Sequence, residues 1–305
     1  MQINGWKYYN HAAKPLCAPH EEPDITPIEN RSIWKMNGRP LFAKWTTEFD
    51  CGYETEWWYC IKDEPFDISL LKSKRRYEIN KGCKYFSIKT IDPIQVVDEL
   101  YYVYQQAMNS YPKKYRSMMS KEAFQQDMQI IGEMKRKNEY EVFVAYSNET
   151  LKIEGYSLIP FNDKYASLAV QKVNPDYEKL QINAALVYGI LSHFADKLES
   201  GFYICDGERN VVHETAFQDY LIKYFGFRKA YCRLHIAYPF FVKILVKSLY
   251  PFRNVLRKMD NNSLIHQING MLKIEECTRT GGGVILTIYS NYWDYEVYNK
   301  VTVFA

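Results

Sequence analysis

Polar and apolar positions change period several times along this chain, and each change marks an element. Alternation with a period near two runs through "YFSIKTI", "YEVFVAYSN", "LKIEGYSLIPF" and "KYASLAVQKV" and predicts four strands. After the first of these, "PIQVVDELYYVYQQAMN" and "SKEAFQQDMQIIGEM" space their apolar residues three and four apart. Both read as helices, the first opened by Pro93 and the second capped by Ser120. A longer helix is predicted over "INAALVYGILSHFADKLE", where Ile182, Leu186, Gly189 and Ile190 recur at helical spacing. The strand "GFYICD", the helix "AFQDYLIKYF" and the strand "RKAYCRLHIAY" follow. The order β-α-α-β-β-β-α-β-α-β thus fills residues 85–240. Hairpins beside β-α-β crossovers predict an α/β (α+β) domain with a mixed, mostly antiparallel central sheet and helices on both faces.

The flanks are less regular. Residues 1–84 carry prolines at 15, 19, 23, 27, 40 and 65, with strand-like pieces at "PLFAKW" and "EWWYCI". Trp57, Trp58 and Tyr59 are expected to pack, lining one wall of a cleft. A basic helix, "DISLLKSKRRYEINKG", is predicted to start near Asp67 and to stop at Gly82. Lys72 and Arg76 share one of its faces, and Glu78 is spaced to pair with Lys74. The helix is either a solvated face or a grip for phosphate. Residues 241–305 form a third region, helical to Cys277 and then glycine-broken and strand-like.

Composition narrows the picture only slightly. With 47% hydrophobic and 25% charged residues the chain is an ordinary globular protein, and a net charge of +3 selects no partner. The 27 tyrosines suit a half-polar cleft or interface. Seven cysteines without a CxxC or a Cys/His cluster predict buried thiols and no metal site. The basic runs are too short for duplex nucleic acid. The N-terminus lacks the pattern of a signal peptide. In "IAYPFFVKILVKSLYPF", lysines and prolines break the apolar run short of the ~20 residues a span needs, though it can lie along a membrane surface. A cytoplasmic chain is the expectation, with this segment either packed in a core or interface or lying along a membrane. No Walker, dinucleotide or G-x-S-x-G fingerprint is present, so ATPase, redox and serine-hydrolase readings lose ground.

Chemistry concentrates in "DGERNVVHETAFQDYLIKYFGFRKAYCRLHI", residues 206–236, where a strand ends and a helix begins, a common place for ligands to meet an α/β sheet. Thr215 and Gln218 fit a capping box, and Gly226 fits a left-handed helix stop. Asp206 with Gly207 is either a turn or part of a reaction centre. His213 is a base titrating near neutrality or a hydrogen-bonded structural histidine. Glu214 is a general base or a partner of the helix dipole. Tyr231, Arg233 and His235 alternate on one strand and share a face, as ligand contacts or as a satisfied edge network.

These segments together resemble the acyl-CoA N-acyltransferase (GNAT) superfamily, closest to its FemAB-like branch and to members from bacterial surface-polysaccharide clusters. The resemblance covers residues 67–240 and rests on "KSKRRYEINKGCKYF", "NPDYEKLQINAALVYGILSHF" and the stretch above, with "KYFGFRKA" its most family-like piece. It implies transfer of an acyl or aminoacyl group from a CoA-, tRNA- or carrier-linked donor to an amine, on a sugar or cell-envelope precursor in polysaccharide biosynthesis. No tightly bound cofactor is implied; acyl-CoA or another donor is a co-substrate. A tRNA-linked donor is the one nucleic acid such a protein would meet. His213, Glu214, Asp206 and Tyr231 are then the catalytic candidates.

One departure stands out. The family's pyrophosphate loop, Q/R-x-x-G-x-G/A, corresponds here to "QKVNPDYEKLQINAA", which keeps neither glycine. Gln171 matches the first position and Asn174 lies in the same run. Anion binding is therefore assigned to Lys72, Arg75, Arg76 and Lys81 with Gln171 and Asn174. The missing loop also admits a second reading, a catalytically silent GNAT-like module that binds a phosphorylated carbohydrate or a partner protein.

Overall fold

A computed structural model describes residues 3–111, 116, 118–210, 216–259 and 263–280. They divide into two compact units, one holding the described residues through Trp57 and from Tyr231 onward, the other holding Trp58–Ala230.

The chain opens with an antiparallel hairpin, β1 (Trp6–Tyr9) and β2 (Ala12–Pro15), turned through Asn10 and His11. Both turn residues have positive φ, 46° and 64°, as a two-residue hairpin turn matched to strand twist requires. After the short helix α1 (Thr26–Glu29), β3 (Phe42–Thr47) pairs in parallel with β2. Trp6, Ile28, Ile33 and Trp45 form the core of this unit. The chain leaves it within β4 (Trp57–Lys62), where Trp57 and Trp58 are buried as expected.

The second unit begins with α2 (Ser73–Tyr85) and β5 (Phe86–Thr90). Helix α2 starts later than predicted, because Asp67 caps a separate 3-10 turn, its carboxylate accepting from the Ser69 amide at 2.7 Å. It also runs through Gly82 instead of stopping there. Next come α3 (Val97–Ser110) and α4 (Lys121–Arg136), whose N-cap Ser120 accepts from the Ala123 amide at 3.2 Å. Strands β6 (Tyr140–Ser147) and β7 (Ile153–Pro160) complete an antiparallel run with β5. The predicted strand "KYASLAVQKV" is broken into β8 (Tyr165–Ser167) and β9 (Val170–Val173). Helices α5 (Ile182–His193) and α6 (Ala195–Leu198), strand β10 (Tyr203–Glu208) and helix α7 (Ala216–Phe225) follow, and β11 (Arg228–Ala237) returns to the first unit. There β11 pairs antiparallel with β3, and α8 (Phe240–Leu249), α9 (Arg253–Lys258) and α10 (Ser263–Thr280) end the described chain.

Alternation along the strands sorts the second unit's core. Val142, Val144, Tyr156 and Leu158 face Leu100 and Val103 of α3 and Phe124 and Met128 of α4. The other face takes α5, and Gly155 of β7 lets Ile182 and Leu186 come close. Helices therefore cover both faces of the antiparallel sheet β5-β6-β7-β9, the GNAT-like mixed α/β architecture expected.

Candidate functional site

The break between β8 and β9 creates the feature of interest. Strand β8 runs parallel to β10, pairing Tyr165, Ala166 and Ser167 with Tyr203, Ile204 and Cys205. The Leu168 amide makes one more bond, to the Cys205 carbonyl at 2.9 Å. The Ala169 amide then turns back to the Ser167 carbonyl at 2.8 Å, a tight turn of the kind that ends strands. Beyond it β9 pairs only with β7, and its other edge has no strand partner among the described residues. Strand β10 meanwhile continues through Asp206 to Glu208. The two strands part after Cys205, and Asp206 is the first residue of β10 past the last pair.

Local sequence shapes that end of β10. Its register against β4 shifts between Cys205 and Glu208, a bulge that re-aims a side chain. Gly207, at φ +88°, supplies the left-handed conformation the bulge uses, with open space where a Cβ would stand. Burial pushes the Asp206 carboxyl up to about 7, against the opposing effect of a hydrogen bond from Gln218. Gln218, buried on α7, also donates to the carbonyls of Glu208 at 3.2 Å and Asp206 at 3.4 Å. It thus ties α7 to β10. Its predicted capping partner Thr215, like the candidates His213 and Glu214, lies outside the described residues. Burial also raises the nearby Cys205 thiol, to about 12, and the Cys60 thiol, so neither is a thiolate nucleophile at neutral pH.

Three of the six predicted anion-binding residues converge on the connection from β9 to α5 and hydrogen-bond there. The Gln171 side chain accepts from Ser157 Oγ at 3.0 Å and donates to Asn183 Oδ1 at 2.8 Å. Asn174 donates from Nδ2 to the buried Glu154 at 2.8 Å and accepts from the Asp176 amide at 3.2 Å. Lys81 Nζ donates to the Lys179 carbonyl at 2.9 Å. Gln181 then enters α5 with φ +66°, and the first turn of α5 has no acidic residue.

The other three lie on α2 and differ among themselves. Arg75 stacks 3.6 Å from the centre of the Tyr224 ring, donates to its hydroxyl at 2.7 Å, and pairs with Glu78. Glu78 thus takes Arg75 as its partner, where the sequence suggested Lys74. Arg76 reaches only the Ser69 carbonyl, at 3.5 Å, and it and Lys72 are exposed.

Tyr231 belongs to the first unit and Asp206 to the second. Its hydroxyl donates to Glu54 at 2.8 Å, and that bond raises the pKa of the phenol. On the same face Arg233 pairs with Glu48 and donates to the Tyr53 hydroxyl, both at 3.0 Å. His235 bonds Thr47 at 2.7 Å and stacks on Trp45. All three side chains thus have partners within the protein. Sequence reasoning missed Glu154 and the role of Gln218. Glu154 left one trace, a lone acid inside the apolar strand "LKIEGYSLIPF".

No family model matches the chain, and no curated protein matches it. Among solved structures it is similar to a conserved protein of unknown function from Bacteroides thetaiotaomicron, at 14% identity and TM-score 0.36, over 59% of this chain and 57% of that one. It is similar to the C-terminal domain of a putative lysylphosphatidylglycerol synthetase from Agrobacterium fabrum, at 12% identity and TM-score 0.44, over 75% and 78% of the two chains. A third is L-PGS from Bacillus licheniformis, at 11% identity and TM-score 0.43, over 90% and 85%. The chain thus spans just over half the length of the first of these.

Proposed function

We propose that the second unit transfers an acyl or aminoacyl group from a CoA-, tRNA- or carrier-linked donor to an amine, on a sugar or cell-envelope precursor. The observation that carries this reading is the parting of β9 from β10 beside Asp206. An unpaired strand edge offers main-chain donors and acceptors, against which a donor's carbonyl can lie as charge develops on its oxygen. The donor's anionic end is set toward the acid-free first turn of α5, whose N-terminal dipole favours negative charge. Gln171, Asn174 and Lys81 hold that connection in shape, and Lys72 and Arg76 add positive charge from α2. Asp206 takes the proton that the amine gives up as it attacks; the acyl–sulfur or acyl–oxygen bond of the donor then breaks, and the departing thiolate or alkoxide takes that proton as it leaves. A carboxyl titrating near neutrality is suited to that step, since it is both ionised often enough and basic enough.

The test offers the purified full chain acetyl-CoA, longer acyl-CoA or aminoacyl-tRNA together with amino sugars, and reads N-acylated product by mass spectrometry. The expected result is a rate that rises with pH through about 7 and falls about a hundredfold in Asp206→Asn, with donor affinity kept. Donor binding without any transfer would assign the chain to the silent binding module and end the acyltransferase reading.

The same carboxyl leaves a mark on stability. Unfolded, Asp206 loses its proton near pH 3.8; folded, it keeps it to about 7. Between those values the folded chain binds more protons, so its stability falls as pH rises, by at most roughly 1.4 kcal/mol per pH unit. Asp206→Asn removes that slope, which urea unfolding at a series of pH values measures.

A further inference from the structure

Helix α8 turns its apolar side outward. Phe240, Phe241, Ile244 and Leu245 are 55%, 82%, 50% and 51% exposed, and their spacing puts them on one side of the helix. Val246, on the opposite side, is 3% exposed. A soluble helix ordinarily does the reverse. The exposed apolar strip continues past Tyr250 with Phe252, Val255 and Met259, on and beside α9. An apolar surface of this length, rimmed by polar groups, marks an interaction site.

Charge decides among the occupants. From Phe240 to Met259 the sequence has five cations, Lys243, Lys247, Arg253, Arg257 and Lys258, and no acid. Arg253 and Arg257 are paired with Glu276 of α10, while Lys247 and Lys258 are exposed beside the apolar strip. A second copy of this chain would bring the same cations face to face. Among the described residues no helix is long and apolar enough to cross a membrane, so the strip is built to lie on a surface.

We propose that α8 and α9 dock this chain onto an anionic phospholipid membrane. Phe240, Phe241, Ile244 and Leu245 enter the boundary between headgroups and acyl chains, and Lys247 and Lys258 meet lipid phosphates. The inference stands apart from acyl transfer, because it is read without turnover.

The experiment sediments the full chain with phosphatidylcholine vesicles and with vesicles of phosphatidylcholine mixed with phosphatidylglycerol. The expected result is binding to the anionic vesicles, weakened by salt, and little binding to the neutral ones. Phe241→Asp combined with Ile244→Asp should lower the partition coefficient more than tenfold. Lys247→Glu and Lys258→Glu should each lower it about fivefold. Unchanged thermal unfolding of each variant would show that the fold is intact. The proposal is overturned if the wild type ignores anionic vesicles, if both vesicle types bind it equally, or if intact variants bind as the wild type does. It is also overturned if the double variant abolishes only self-association on gel filtration, which would make a second copy the occupant.

Discussion

Helices α5 and α8 look alike as sequences. "INAALVYGILSH" and "FFVKILVKSL" are both short and apolar, yet the chain encloses the first and leaves the apolar side of the second exposed. The difference lies in small residues. Gly155 of β7 would place a Cβ 3.1 Å from the side chains of Ile182, Leu186 and Val173, and Gly189 would place one 2.6 Å from Ile88. Gly82 of α2 would place one 2.6 Å from the Gln181 carbonyl. Glycines on α5 and on both of its neighbours thus let backbones approach where side chains would hold them apart. Helix α8 itself carries no glycine. Apolar content makes a helix able to be buried; matched small residues decide where it is.

The largest effect that tests this contrast is at the α2–α5 crossing. Gly82→Val drives a Cβ against a backbone oxygen, which cannot rotate away as a side chain can. The substitution should cost about 3 kcal/mol by urea unfolding, at the upper end of ordinary overpacking. A loss under ~1 kcal/mol would mean that the helices separate freely, and the close-approach account would fail.

A smaller effect separates two neighbouring arginines of the basic helix. Arg75→Ala removes a ring stack and a hydroxyl bond that join α2 to α7, together with an ion pair within α2, and should cost ~1–2 kcal/mol after discounting its partial exposure. Arg76→Ala should change stability by less than ~0.5 kcal/mol and instead weaken binding of an anionic donor. Equal destabilisation by both would return Arg75 to the set of ligand groups.

Most of the element order was legible from period and caps, because burial on one face leaves a repeating mark. Ser120 at a cap and Gly226 at φ +67° are where their chemistry put them. Gly82 was misread as a stop, since a glycine that ends a helix and one that admits a neighbour look the same in sequence; only Gln181, ninety-nine residues away, tells them apart. The break at Leu168 and Ala169 left no mark in "KYASLAVQKV", because both halves keep their alternation while they change partners. Of the candidate site, Asp206 was visible as an acid at a strand end. What raises its pKa, burial, is a property of packing and has no sequence signature. Gln171, Asn174 and Lys81 were picked by position and polarity, which do not distinguish a group that holds a loop from one that holds a ligand.

The small effect expected at Leu245, set against Leu186, is the sharpest for the comparison between helices. Leu186 of α5 is fully buried and Leu245 of α8 is half exposed. Leu186→Ala should cost about 3 kcal/mol, the transfer free energy of the lost atoms plus the cavity they leave. Leu245→Ser removes a larger change in polarity but little buried area, and its surroundings can close with water instead of a void. It should shift stability by less than ~0.5 kcal/mol in the absence of lipid. A loss at Leu245 approaching that at Leu186 would mean that protein covers the outward side of α8 in solution. No lipid would then be needed to account for its apolar residues, and the contrast between the two helices would reduce to a difference in which part of the chain does the covering.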